Sequence, residues 1–411
     1  MSEHFMDLSP ADPVVTRDPF TPYAAMRETA PLVRVVMNGL PGWMATGHGT
    51  VRELLSDPRL SSGRHHALPE VRQLAPWVFA TEATGLSRSL LLSDPPDHTR
   101  LRRMVSRAFT PRRIEALRPR TEEICAELLA AFLPRGEADL IDEFAVELPM
   151  LVIAELLGVP VEDRHDFRHW SVTAASEPSD PAEALAAYRS IRDYIDDLIP
   201  RKRAHNARHG AGADLLSALI ALQDDGDQLD DAELRSTAAN LLIAGHETTT
   251  NLIGTGILAL LQRPERLAEL LADPALIEPA IEEFLRFDAP VGVVNIRFAL
   301  EELKVGGIMV RPGEAVLLSA GASGRDPEVF DAPDELDFHR ENVKQHMGFG
   351  HGIHYCLGAP LARMEASVAF RALLGQCHGL ALAVPEDGLQ WRRSVQLHGL
   401  RHLPVTFTPT G

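Results

Sequence analysis

Gly348-Phe349-Gly350-His351-Gly352-Ile353-His354-Tyr355-Cys356-Leu357-Gly358-Ala359-Pro360-Leu361-Ala362-Arg363 runs straight into a helical pattern and decides how the chain is read. A lone thiol followed at once by glycine and a helix start sits where unpaired N–H groups and the positive dipole end favour thiolate over thiol. The glycines at 350, 352 and 358 let the backbone approach a flat ligand or aim its N–H groups at a sulfur. Three readings are open. One is a buried structural cysteine in a Gly-rich turn, because free cysteine is among the most buried residue types. A second is zinc held by His351, His354 and Cys356, but no further Cys or His pair stands at ligand spacing, and ligands this close in sequence crowd a tetrahedral ion. The third is haem on a single cysteine thiolate, whose electron donation favours O–O cleavage. A dinucleotide loop is excluded, since Tyr355 stands where a third spaced glycine is required.

The 411 residues are 45% hydrophobic and 24% charged, the composition of a globular protein with a large core. The net charge of −18, from 58 acidic against 40 basic residues, excludes a general nucleic-acid surface. Three cysteines (Cys125, Cys356, Cys377) make no disulfide framework and point to a reducing cytosol. Residues 1–13 carry no signal pattern. The longest apolar stretch, Leu148 to Val159, is interrupted by Glu155 and is too short to span a bilayer. These features predict an unanchored cytoplasmic protein. No linker or repeat interrupts it, so a single domain over 1–411 is expected.

Along the chain, Val33 to Met37, Asn38-Gly39 and Trp43 to Thr46 predict a hairpin. Periodicity fades from Leu60 to Ser93, the pattern of a functional lid. Asp94-Pro95-Pro96-Asp97 opens a helix with capping residues at its start, and His98 and Arg102 share one face of it. That face suits either a pair of carboxylates or plain solvent. Helices are expected at Arg113–Phe132, Phe144–Leu157, Glu162–Ala175, Pro181–Ala204 and Leu215–Gln223, with breaks at Gly136, Gly158 and Pro178. Asp224-Asp225-Gly226-Asp227 is a solvated turn, because the later ligands of a calcium loop are missing.

A helix from Asp230 to Gln262 spans about 50 Å at about 1.5 Å per residue. Its interior, Ala244-Gly245-His246-Glu247-Thr248-Thr249-Thr250, suits a helix poorly and predicts a local opening, with Thr248 bonding back to the Ala244 carbonyl. A zinc-protease reading of His246-Glu247 fails because position 250 is threonine. Beyond it come a short helix over Ala280–Phe287 and strands at Val291–Phe298, Val305–Val310, Ala315–Ser319 and Val395–Leu400.

Phe349, Gly350, Gly352, His354, Cys356 and Gly358 fill the pattern Phe-Gly-x-Gly-x-His-x-Cys-x-Gly, which resembles the haem-binding loop of the cytochromes P450. Ala244-Gly245-x-Glu247-Thr248-Thr249 resembles that family's helix over the haem, and Glu283-x-x-Arg286 its buried ion pair. The resemblance covers nearly the whole chain; the one local departure is Gly321-Ala322-Ser323-Gly324-Arg325-Asp326-Pro327. It implies a mainly α fold with small β-sheets (α+β), a prism-shaped single domain with haem between the central helix and the cysteine loop. The small β-rich lobe would comprise about 30–60, 295–320 and 380–411, and the α-rich body about 94–290 and 325–380.

By the same resemblance the cofactor is haem b (iron-protoporphyrin IX). Cys356 is its iron ligand, with Phe349, Gly350, Gly358, Ala244 and Gly245 around the ring and His98, Arg102, Arg297 and His354 on the propionates. Glu247 and Thr248 relay protons, while Glu283 and Arg286 are structural. Asn240, Leu241, Val291, Val293, Val294, Asn295 and Leu397 face substrate, with Asn240, Asn295 and His246 as polar handles. The implied activity is insertion of one oxygen atom from O2, by hydroxylation or epoxidation, into a medium-sized, largely apolar secondary metabolite, polyketides and macrolides included. The implied enzyme is a monomer receiving NAD(P)H electrons through ferredoxin reductase and a ferredoxin docked near Arg102, Arg103, Arg112, Arg113 and Arg363. Two alternatives stay open: a non-enzymatic haem-thiolate sensor, which needs no Thr248, and a peroxide-driven hydroxylase, which usually lacks the acid and alcohol pair.

Overall fold

Asn38 and Gly39 adopt left-handed backbone, φ 47° and 81°, the geometry of a tight two-residue turn. The strands they join, Val33–Met37 and Leu40–Ala45, pair antiparallel from Val33 opposite Met44 to Met37 opposite Leu40. This hairpin seeds a six-stranded sheet ordered Met6–Leu8, Val33–Met37, Leu40–Ala45, Ala315–Leu318, Arg297–Ala299, Leu60–Ser61. Alternation gives the sheet two packed faces: Val35, Ala315 and Leu317 enter one apolar cluster, and Ala45, Val316 and Leu318 another. The computed structural model describes residues 5–175, 181–210, 212, 214–224 and 229–409. The acidic turn over 224–227 and the break at Pro178 lie outside the described residues or at their edge.

The helical body packs around one long helix, Asp231–Leu261, hereafter the central helix. Asp230 and Glu233 form a reciprocal capping box at its start. At about 1.5 Å per residue its 31 residues span about 46 Å. It lies against Glu147–Leu157 on one side and against Ala359–Gln376, the cysteine helix, on another. The largest apolar cluster fills the space between them. Among the described residues no helix is long and apolar enough to cross a membrane.

Several local expectations change. The Thr248 hydroxyl does donate to the Ala244 carbonyl, at 3.1 Å, yet the helix continues unbroken through this stretch. Asp94 does not cap the following helix, Asp97–Ala108; its carboxylate accepts from the Ser61 hydroxyl and the Ser62 N–H instead. The expected helix over 113–132 divides into Pro111–Glu115 and Arg118–Phe132. The stretch 305–310 is not one strand: a turn at Gly306-Gly307 folds it into a small hairpin, Leu303–Val305 with Ile308–Val310. Neither Val291–Phe298 nor Val395–Leu400 is a regular strand; they meet through the single bridge of Val291 with Leu397, while Val293 bridges Ser319.

The segment 391–400 is anchored by His398. Its Nδ1 faces Asp288 Oδ1 at 2.6 Å and its Nε2 faces the Thr16 carbonyl at 3.1 Å. Both partners only accept, so both ring nitrogens must donate and the ring is an imidazolium. Burial alone would lower its pKa, but the Asp288 charge and hydrogen bond, with the Thr16 carbonyl, raise it overall. A folded-state pKa above the unfolded value of about 6.5 stabilises fully below that value and is lost as pH rises through the folded pKa. The His398→Gln protein is therefore expected to melt furthest below wild type at acidic pH, with the gap closing as pH rises. A gap independent of pH would contradict the imidazolium.

Candidate active site

Cys356 follows the turn Gly352–His354 and directly precedes the cysteine helix. Its own N–H donates to the Phe349 carbonyl at 2.8 Å, closing the loop on itself. Gly350 holds this loop with φ 72°, a conformation glycine adopts without strain. Burial pushes the Cys356 thiol up, opposed by the Gly358 and Ala359 N–H groups and by Arg102 and Arg363. The helix end alone therefore does not hold a thiolate, and a cation bonded to the sulfur would do so. Arg363 lies over the Phe349 ring at 4.5 Å and, with His346, binds Glu282. Burial raises the pKa of Glu282, but these two partners bring it down to about 2, fixing the loop to the helix Ile277–Phe287.

Four basic side chains from three parts of the chain gather near the sulfur. His98 is buried with neither ring nitrogen hydrogen-bonded, and buried Arg297 Nη1 and His354 Nδ1 are equally unpartnered. The His98 and His354 rings lie 4.3 Å apart, and the other His354 nitrogen meets the Ser62 hydroxyl at 3.2 Å. Burial, then the charges of Arg297, His98 and Arg102, pull His354 down to about 2. Burial brings Arg297 down to about 10. Unsatisfied buried donors that repel one another call for an anion between them. A pair of propionate carboxylates fits that need.

Part of the central helix is uncovered. Residues 249–260 are fully buried, whereas Ala244 is exposed and Asn240, Leu241 and Thr248 are partly so. Positions 240, 244 and 248 lie on one helical face, so an open stripe faces space inside the molecule's most buried helix. A flat ligand bonded to Cys356, with carboxylates at His98, Arg297 and His354, fits between loop and helix.

The remaining candidates sort by orientation. A side chain at Gly245 would meet Ile153 Cδ1 at 2.9 Å, so Gly245 serves helix packing and not the cofactor space. His246 is fully buried, its Nδ1 on the Leu242 carbonyl at 3.1 Å, and is no substrate handle. Val293 is completely buried in the core beneath the N-terminal sheet, which removes it from the substrate face. The Asn295 amide is engaged at both ends, accepting from Arg64 Nη2 at 2.6 Å and donating to the Leu91 carbonyl at 2.9 Å, so it is no free handle either. Asn240, Leu241, Val291, Val294 and Leu397 keep partial exposure. Glu247 is 1% exposed and ion-paired to Arg392.

Sequence reasoning missed two buried charged groups, Arg64 and Glu365, and a partly buried one, Arg392. Arg64 braces Asn295 and the Ile296 carbonyl. Arg392 reaches Glu247 from 145 positions away, with no local signal. Glu365 is fully buried on the cysteine helix without a hydrogen bond to either oxygen, and burial pushes its pKa well above the carboxylate range. A glutamate on the apolar face of that helix was the available signal.

Comparison with known proteins agrees with this geometry. Residues 178–379 match the family model described as Cytochrome P450. The chain is 44% identical over 395 residues to a vitamin D(3) 25-hydroxylase of Pseudonocardia autotrophica, covering 96% of this chain and 94% of that one. It is 42% identical over 407 residues to the cytochrome P450 monooxygenase PikC of Streptomyces venezuelae, covering 98% and 94%. Its fold superposes on the tirandamycin C-bound P450 monooxygenase TamI with a TM-score of 0.89, at 41% identity over 98% of this chain and 100% of that one. The chain therefore belongs to the cytochrome P450 family and is a haem-thiolate monooxygenase.

Proposed function

We propose that this enzyme hydroxylates or epoxidises a medium-sized, largely apolar secondary metabolite of polyketide or macrolide type. The observation that carries the reading is the set of unpartnered buried donors beside Cys356, facing the open stripe of the central helix. The relatives add chemical direction, since one is a vitamin D(3) hydroxylase and another holds tirandamycin C. Screening apolar natural products for the spin-state change in the haem spectrum tests the substrate class; a panel answered only by small polar compounds would contradict it.

The cofactor is haem b, which when bound supplies the oxygen activation that the protein's own groups cannot. Cys356 would supply an anionic sulfur to its iron, and His98, Arg102, Arg297 and His354 would hold its propionates. Leu241, Ala244, Val291, Val294 and Leu397 shape an apolar space, with Asn240 as its polar handle. Thr248 donates its hydroxyl proton to the Ala244 carbonyl, which leaves its oxygen lone pairs to accept from a water in the open stripe. Glu247 passes protons toward that water. Thr248→Ala is expected to leave electron uptake intact while product per NAD(P)H falls about 100-fold or more, within the ~10²–10⁴ that a placed proton-transfer group contributes. Unchanged coupling would remove Thr248 from the relay.

Electrons reach the cytoplasmic monomer from NAD(P)H through ferredoxin reductase and a ferredoxin on the cysteine side. Arg103, Arg112, Ile353 and Tyr355 are exposed and would contribute to that docking face. Arg363 leaves the expected patch because Glu282 and Phe349 engage it, and Arg113 is tied to the Ala108 carbonyl.

A further inference from the structure

Glu247 is the acid of the proposed relay, yet it is shut off from solvent at 1% exposure. Neither of its oxygens accepts a directed hydrogen bond; its charge is met by Arg392 Nη1, with His246 Nε2 at 3.9 Å from Oε2. Arg392 comes from the irregular hairpin 391–400, where Trp391 bridges Leu400 and the Arg392 N–H donates to the Gly399 carbonyl at 3.0 Å. That hairpin is pressed onto the central helix one turn beyond Glu247. A side chain at Gly399 would come within 2.2 Å of Asn251 Oδ1, so the bare glycine leaves Asn251 in place at the close approach that brings Arg392 to the acid.

The other end of Arg392 looks outward. Its side chain is 13% exposed and lines a surface cavity of about 300 Å3, together with Asp142, His165, Arg168, Thr173 and Arg401. One side chain thus touches solvent in the cavity and the buried carboxylate beneath it.

We propose that Arg392 is the positioning residue of Glu247 and that the cavity it lines is where protons enter the active site, an inference that rests on the relay assigned to Glu247. A proton from water in the cavity binds a Glu247 oxygen as the Arg392 guanidinium moves aside. The neutral acid releases that proton to the water at Thr248, and the carboxylate returns to Arg392. Arg392 keeps its charge throughout, because guanidinium does not deprotonate in proteins.

Removing the guanidinium leaves a desolvated carboxylate without its counter-charge, which drives protonation. In haem-loaded Arg392→Ala protein the infrared spectrum is expected to gain a protonated-carboxyl band at neutral pH, absent from the Arg392→Ala/Glu247→Gln double variant. Product per NAD(P)H should fall about 10-fold, short of the full ~10²–10⁴ of a placed acid because Glu247 itself remains, with Arg392→Lys restoring much of it and adding no band to that of wild type. Thr173→Trp, which narrows the cavity without altering either ion-pair partner, should slow product formation and enlarge its solvent isotope effect. If Glu247→Gln uncouples the enzyme but Arg392→Ala neither uncouples it nor yields the band, the positioning role is wrong. If Thr173→Trp changes nothing, the cavity is not the inlet. If Glu247→Gln itself leaves coupling intact, the relay assignment fails first and this inference goes with it. Arg392→Gln, which removes the charge and keeps a polar side chain of similar reach, supplies the same reading should the alanine variant not fold.

Discussion

The Arg286→Ala protein is expected to lose about 3–5 kcal/mol of stability, because removing one member of a buried ion pair strands the other. Arg286 and Glu283 are both completely buried. The guanidinium donates from Nε and Nη2 to the two Glu283 oxygens, each at 2.7 Å. Its remaining donors reach the carbonyls of Gly324 (2.8 Å), Pro333 (2.7 Å) and Glu335 (2.9 Å). All five donors are used, and Glu283 also accepts from the Asp337 N–H at 2.9 Å and from Arg340 at 3.3 Å. A side chain at Gly324 would sit 2.2 Å from the Arg286 carbonyl, so helix and following segment are matched at atomic contact. Lysine offers a point charge in place of a planar fork, so Arg286→Lys should rescue little. Denaturant unfolding of haem-loaded protein measures the loss; a value under about 1 kcal/mol would mean that the network is not the structural tie described. Haem retention should fall in parallel, since Glu282 on the same helix holds His346 and Arg363 of the cysteine loop.

Cys356→Ser is expected to remove oxygenation to background, a fall of more than ~100-fold, since loss of even outer-shell partners of a metal ligand costs ~10–100-fold. The fold should survive. The loop closes through the Cys356 backbone N–H on Phe349, which serine retains, and the helix beyond begins on Pro360 and buried Ala359. Circular dichroism matching wild type, together with lost turnover, is the expected pair of results. Turnover within tenfold of wild type would show that the sulfur is not the reactive ligand.

The legible parts of this molecule were those with local causes. Asn38-Gly39 dictates its turn wherever it stands, and Asp230 with Glu233 announces a helix start three residues apart. The cysteine loop was readable because its glycines, histidine and thiol are neighbours in sequence. Orientation was not readable. Gly245 marks an unusual helix interior, but whether its bare face meets a cofactor or Ile153 depends on a helix some ninety residues earlier. Val291 to Phe298 alternates like a strand, yet Pro290 and Gly292 lie in its path, and only Arg297–Ala299 joins the sheet. Gly306-Gly307 was a local signal passed over: both take positive φ and fold the run 303–310 back on itself. Arg392, Arg64 and Glu365 act through tertiary contacts alone. A buried charge shows in sequence only as an ordinary polar residue.

The central claim is a bond between the Cys356 sulfur and haem iron. Reducing purified haem-loaded protein and adding carbon monoxide measures it directly. The account predicts the strongly red-shifted Soret band of a thiolate-ligated haem, absent in Cys356→Ser. Folded, haem-loaded wild-type protein whose band stays where a histidine-ligated or free haem absorbs would contradict it.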